Sequence, residues 1–180
     1  MKSRPNRVLI LGICGADKST LAKQLSAKWG IPSVHLDQLY WKAGWVEADR
    51  DEFITKLESA CSKEKWIIDG NFSNTLPIRL DRADLVIRLN FNRYLALVRV
   101  VKRVLLSYGR VRSDMASGCP ERFDWIFMKY IWNYNKGPNL RTDEALRGYP
   151  VEKILEFRSP KELELWFEKS SQRTDRISTP

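Results

Sequence analysis

A mainly parallel β-sheet with helices on both faces is the fold class this sequence predicts. Three observations lead there. Short strand-like runs recur at 8–11, 34–37, 66–68, 85–89 and 154–157. Segments of helical period separate most of them. No internal repeat or interdomain linker breaks the alternation, and such alternation is the mark of βαβ units. A chain of 180 residues and 21.0 kDa, 43% hydrophobic and 29% charged, has room for one such domain and the apolar side chains for its core.

Taken in order, Val8-Leu9-Ile10-Leu11 forms a first strand that stops at Gly12. A helix begins near Lys18, where Leu21, Leu25 and Trp29 repeat every four residues, and Gly30-Ile31-Pro32 ends it. Val34-His35-Leu36-Asp37 is a second strand, and Phe53, Leu57 and Ala60 mark a second helix. Trp66-Ile67-Ile68 runs into Asp69-Gly70, and 85–89 follows an acidic turn around Asp81 and Asp84. Tyr94, Leu97, Val98, Val101, Val104 and Leu105 form a stripe at helical spacing, predicting a helix over 92–107. The aromatic stretch 123–134 reads as helical, with Trp125, Tyr130, Trp132 and Tyr134 expected in the core. After a last strand at 154–157, Ser159 is the predicted N-cap, with Pro160 at the first position and the helix running through Lys169. The expectation is one domain over 1–169, a lid insert over 108–150 and a disordered polar tail over 170–180.

The charge balance is less ordinary. Lys and Arg number 31 against 22 Asp and Glu, a net charge of +9. Such a surplus favours an anionic partner. From Arg88 to Arg112 there are seven basic residues and no acidic one. Three scattered cysteines and one histidine supply neither a disulfide framework nor a zinc site. No apolar run approaches a membrane span, and 8–11 is too short for a signal peptide. These features predict a reduced, cytoplasmic protein with no membrane partner.

The loop after the first strand, Gly12-Ile13-Cys14-Gly15-Ala16-Asp17-Lys18-Ser19-Thr20, stands where a phosphate-binding loop belongs. Small residues let successive backbone N–H groups wrap phosphate oxygens, a lysine reaches the β and γ phosphates, and a hydroxyl ligates Mg²⁺. Asp17 departs from the pattern, standing where it asks for glycine. A side chain there must tolerate positive φ, which Asp does better than most residues. Its carboxylate would also repel bound phosphates by roughly 3 kcal/mol at ~5 Å and an effective dielectric of ~20, about a hundredfold in affinity.

Reactive groups of such sheets gather at the carboxyl ends of strands. Asp37 and Asp69 fall there, Asp37 suited to a base and Asp69 to holding Mg²⁺ through water. His35 is expected on the opposite strand face from its neighbour's side, as a packed or hydrogen-bonded core residue, and Cys14 as a space-filler. Arg99, Lys102 and Arg103 share a helix face opposite the apolar stripe, where they would be solvated, clamp nucleotide phosphates or meet those of DNA. Arg110, Arg112 and Arg122 would reach from the lid.

With these residues assembled, the chain resembles the topology-modulation (FlaR-like) proteins, a bacterial branch of the adenylate-kinase-like P-loop proteins. The resemblance spans about residues 7–167. It rests on the loop 12–20, on His35-Leu36-Asp37-Gln38-Leu39-Tyr40-Trp41, on Trp66-Ile67-Ile68-Asp69-Gly70-Asn71 and on Gly118-Cys119-Pro120-Glu121-Arg122-Phe123-Asp124. It implies a P-loop, nucleotide-kinase-like sheet of five parallel strands in the order 2-3-1-4-5, with ATP at the first loop and an acceptor near Asp37. The leading expectation is a small ATP-dependent phosphotransferase whose acceptor is a small molecule or a nucleotide. In it Lys18 holds the β and γ phosphates, Ser19 and Asp69 hold Mg²⁺, and Asp37 orients or deprotonates the acceptor. Arg110, Arg112 and Arg122 close over the phosphates. The alternative is a DNA-associated regulator, as the family's name implies, using Arg99, Lys102 and Arg103 and keeping a vestigial or switch-like nucleotide site.

Overall fold

The computed structural model describes residues 4–175. Five parallel strands form one sheet: β1 Arg7–Gly12, β2 Ser33–His35, β3 Trp66–Asp69, β4 Leu85–Leu89 and β5 Ile154–Phe157. Their spatial order is 2-3-1-4-5, as the resemblance implied. β1 lies at the centre, pairing Ile10 with Asp69 on one side and with Ile87 on the other.

Alternation along β1 builds two cores. Val8 and Ile10 face helices α1 (Lys18–Trp29), α5 (Arg93–Ser107) and α6 (Trp125–Trp132). Leu9 and Leu11 face α3 (Arg50–Cys61) and α4 (Leu76–Leu80), with α7 (Pro138–Leu146) closing that layer through Leu146. All four β1 side chains are fully buried, as a central parallel strand covered on both faces requires. Helix α8 (Pro160–Asp175) starts with the predicted cap: Ser159 Oγ accepts from Glu162 N, and Glu162 Oε2 accepts from Arg158 N. It runs to Asp175, through the first part of the segment expected as a tail; residues 176–180 lie outside the described residues.

Three elements differ from expectation in ways that shape the site. The second strand ends at His35, and Leu36–Tyr40 forms a short helix, α2, so Asp37 sits in a helical first turn rather than at a strand end. An antiparallel hairpin, Trp41–Lys42 with Val46–Glu47, follows it. In α5 the buried face is Ala96, Val100 and Val104, whereas Tyr94, Val98, Val101 and Leu105 of the predicted core stripe are exposed. The cause is a close approach. A Cβ on Gly15 would lie 2.5 Å from Ala96 O and 3.0 Å from Val100 Cγ2, so only small side chains of α5 fit against the phosphate loop. The larger residues are therefore turned outward.

The 108–150 segment has two parts. Residues 108–124 form a loop whose Met115, Ala116 and Cys119 pack on Trp41 and Trp45 of the hairpin. Residues 125–150 carry α6 and α7, which join the two main cores through Met128, Ile131, Tyr134 and Leu146. Trp125, Tyr130 and Trp132, expected inside, are exposed, and only Tyr134 of that set is buried. Among the described residues, no helix is long and apolar enough to cross a membrane.

Candidate phosphate-binding site

The loop between β1 and α1 has the backbone a phosphate cradle needs. Gly12 closes the strand at φ 147°, where an added Cβ would meet Leu89 O at 2.3 Å, and Gly15 turns at φ 88°. Asp17 takes the left-handed conformation, φ 61° and ψ 32°, that the missing glycine would have taken. Its carboxylate turns to α5 and pairs with Arg99 at 2.7 Å. The charge expected to repel phosphates thus has a counter-cation built beside it.

Lys18 folds back over the loop, donating from Nζ to Gly12 O at 2.9 Å and Ile13 O at 3.2 Å. Ser19 Oγ donates to Asp69 Oδ2 at 2.7 Å. Asp69 is buried at the end of β3, and its other oxygen accepts from His35 Nδ1. The two residues are register partners on adjacent parallel strands, which places their side chains on one face. His35 is hydrogen-bonded and buried as expected, but its partner is the aspartate of the site.

Asn71 clamps the loop's entry. It accepts from Gly12 N at 3.0 Å and donates to Gly12 O at 2.8 Å. Asn71 itself is held by Arg79, which is fully buried and donates to the carbonyls of Gly70, Asn71 and Phe72 at 2.5–2.9 Å. Burial lowers its pKa to about 9, so it remains a cation at neutral pH.

Asp37 faces the loop from α2. Burial raises its pKa, Lys18 opposes that shift, and Asp69 adds to it. Burial likewise raises the Cys14 thiol, which suits a space-filling side chain. Of the lid arginines, Arg112 acts electrostatically on both Cys14 and Asp37. It pairs with Asp114 at 2.7 Å and with Glu121 at 2.8 Å. Glu121 is buried and also binds Arg103 of α5 at 2.9 Å. Burial would raise Asp114, but Arg112 and Lys23 outweigh it and hold its pKa below the usual carboxylate range. Lys23 Nζ donates to Ser113 Oγ at 2.7 Å and Gln38 Nε2 to Ser113 O at 2.8 Å, docking the loop on α1 and α2.

The other predicted lid residues lie elsewhere. Arg110 is exposed, with no side-chain hydrogen bond or ion pair among the described residues. Arg122 is exposed over the Trp45 ring, 5.4 Å from its centroid. Arg99, Lys102 and Arg103, read as one set that is solvated, clamps nucleotide phosphates or meets DNA, are divided: Arg99 pairs with Asp17 and Arg103 with Glu121, while Lys102 is exposed.

A hydroxyl and a carboxylate in contact, beside a lysine at a glycine-lined turn, fit the few direct ligands Mg²⁺ takes in a nucleotide site. Among the described residues no group of three or more His, Cys, Asp or Glu forms a protein-only metal cage. Ala16 and Thr20 complete the loop, Ala16 buried and its N–H bonded to Ile13 O at 3.1 Å, Thr20 exposed in the first turn of α1.

No family model and no curated protein matches the chain. Solved structures do. A shikimate kinase from Bacteroides thetaiotaomicron superposes with a TM-score of 0.52 at 18% identity, over 97% of this chain and 98% of that one. A gluconokinase from Sinorhizobium meliloti superposes with a TM-score of 0.54 at 12% identity, over 99% and 100%. The chain therefore has the fold of the P-loop kinases, with five parallel strands, helices on both faces and the glycine-lined loop at the end of the central strand.

Proposed function

We propose that the protein is an ATP-dependent phosphotransferase acting on a hydroxyl of a small molecule or nucleotide, a distant relative of the topology-modulation proteins it resembles. The observation that carries this reading is the Ser19–Asp69 hydrogen bond beside Lys18, a hydroxyl and a carboxylate paired where Mg²⁺ of a bound nucleotide would lie. Mg²⁺, when bound, neutralises charge on the phosphates and draws them into line for transfer. Lys18 then leaves Gly12 O and Ile13 O for the β and γ phosphates, while Asn71 keeps Gly12 O hydrogen-bonded. Ser19 would hold Mg²⁺ directly, with Asp69, itself held by His35, as the carboxylate behind it. Asp37 accepts the proton of the acceptor hydroxyl as that hydroxyl's oxygen bonds the terminal phosphorus and the bond from that phosphorus to the departing ADP breaks. Burial makes that carboxylate more basic than usual, which suits the role. Arg112, which acts on Asp37 and Cys14, stands on the lid side of the same space. Arg99 answers the repulsion expected of Asp17.

Lys18→Ala tests the assignment. Phosphoryl transfer, followed as ADP release in a screen of hydroxylated acceptors, should fall by a factor of about a thousand, as loss of a positioned cation on the transferring group implies. Unchanged turnover in that variant would remove the loop from the reaction.

A further inference from the structure

Helix α5 carries a second feature that the proposed reaction does not use. Its outward positions Tyr94, Val98, Val101 and Leu105 are spaced four, three and four residues apart, the period of a coiled-coil seam. All are exposed, Val98 by 66% and Leu105 by 76%, and Val98, Val101 and Leu105 line a shallow groove with Leu97, Lys102 and Leu106, while the Tyr94 ring lies beside Trp132 at the other end of the stripe. Lys102 is the one charged side chain among the exposed positions from 94 to 106. Turning a seam of this kind toward water gains nothing for the isolated chain.

We infer that this face is the surface on which two copies of the chain pair, α5 against α5, antiparallel about a two-fold axis. The stripe reads large, small, small, large in either direction, which is what a self-complementary antiparallel contact needs. In that register Tyr94 packs on the partner's Leu105, and Val98 on the partner's Val101, with each layer repeated by symmetry. The two central valines let the helix axes approach closely. Lys102 lies level with the partner's Leu97, so its stem covers an apolar side chain. The two lysines are then offset by about 7.5 Å along the axis and do not oppose each other. Leu106 beside the seam and Tyr108 at its end, both exposed, enlarge the patch. Together these side chains present on the order of 800 Å² per copy, the area each partner gives to a stable interface. Because α5 also holds Arg99 on Asp17 of the phosphate loop and Arg103 on Glu121 beside it, pairing through α5 joins the two sites to one rigid element.

Sedimentation equilibrium of the full chain, from low to high micromolar concentration, tests this without reference to catalysis. The natural chain should approach twice its 21.0 kDa mass. Leu105→Glu should return it to monomer with an unchanged circular dichroism spectrum, since the site is exposed. Tyr94→Lys alone should do the same. The paired variant Tyr94→Lys/Leu105→Glu should recover the dimer, because the register sets each lysine against a glutamate of the other copy. A natural chain that stays at monomer mass overturns the inference. So does a dimer that Leu105→Glu leaves intact, or a paired variant that stays monomeric. Binding of a monomeric chain to vesicles of phosphatidylserine and phosphatidylcholine would also overturn it, by making the face a lipid surface.

Discussion

Asp17 shows how a single residue can break a motif's letter while keeping its geometry. The position needs a left-handed backbone, and aspartate supplies one at φ 61°. Its charge is the harder requirement, and the ion pair with Arg99 meets it. Both partners are partly in water, Asp17 by 54% of its side chain, so the full Coulomb estimate is discounted for screening. Arg99→Ala is expected to weaken Mg-ATP binding about tenfold, and Asp17→Gly to leave it equal or tighter. The double variant should match Asp17→Gly in calorimetric titration. An equal loss from Arg99→Ala in both backgrounds would mean that Arg99 acts on the nucleotide directly and not through Asp17. Of these features, the aspartate's misfit is plain in the sequence, but the arginine that answers it is not. The two lie far apart in the chain, and Arg99 reads equally well as a solvated residue.

At the scale of elements, the segment after β3 decides how firmly the loop is held. Residues 70–75 turn around Arg79, a buried cation whose hydrogen bonds go to backbone carbonyls rather than to an acid. Replacing it by leucine leaves those carbonyls buried and unpaired, and each lost partner costs about 1–3 kcal/mol. Arg79→Leu should therefore lower unfolding stability by about 3 kcal/mol or more, read as a shift of the urea midpoint at constant slope. An unchanged midpoint would show that water replaces the guanidinium. Sequence periodicity does not reveal such an element, since an arginine beside Leu80 and Asp81 looks like a surface residue. Helix α5 misleads in the opposite way. Its strongest apolar stripe is not its buried face, because the turn at Gly15 admits only Ala96 and Val100.

At the scale of the whole molecule, the fold brings Asp37, Asp69, Lys18 and Arg112 together, and burying Asp37 there costs stability. Burial raises the pKa of Asp37, so its ionised form is less favourable in the folded protein than in the unfolded chain. The unfolded state then loses its proton first as pH rises, and stability falls through the interval between the two pKa values. Asp37→Asn removes that penalty. Its melting temperature should exceed that of the natural chain at pH 7 and converge toward it as pH falls below the ordinary aspartate range. A difference that does not change with pH would place the carboxylate in a more solvated setting. The strand order was implied only by the family resemblance, but the strands and the loop residues Gly12, Gly15, Lys18 and Ser19 were legible in the sequence, because strand period and a phosphate loop are local properties of consecutive residues. So was the placing of Asp69 at a strand's end. What only the tertiary structure decided is which distant side chains meet: His35 with Asp69, Asn71 with Gly12, Arg99 with Asp17, and Glu121 between Arg103 and Arg112. Those pairings depend on sheet register and on how closely α5 and the 108–124 loop approach the loop after β1. Such distances come from the packing of whole elements, and no local pattern encodes them.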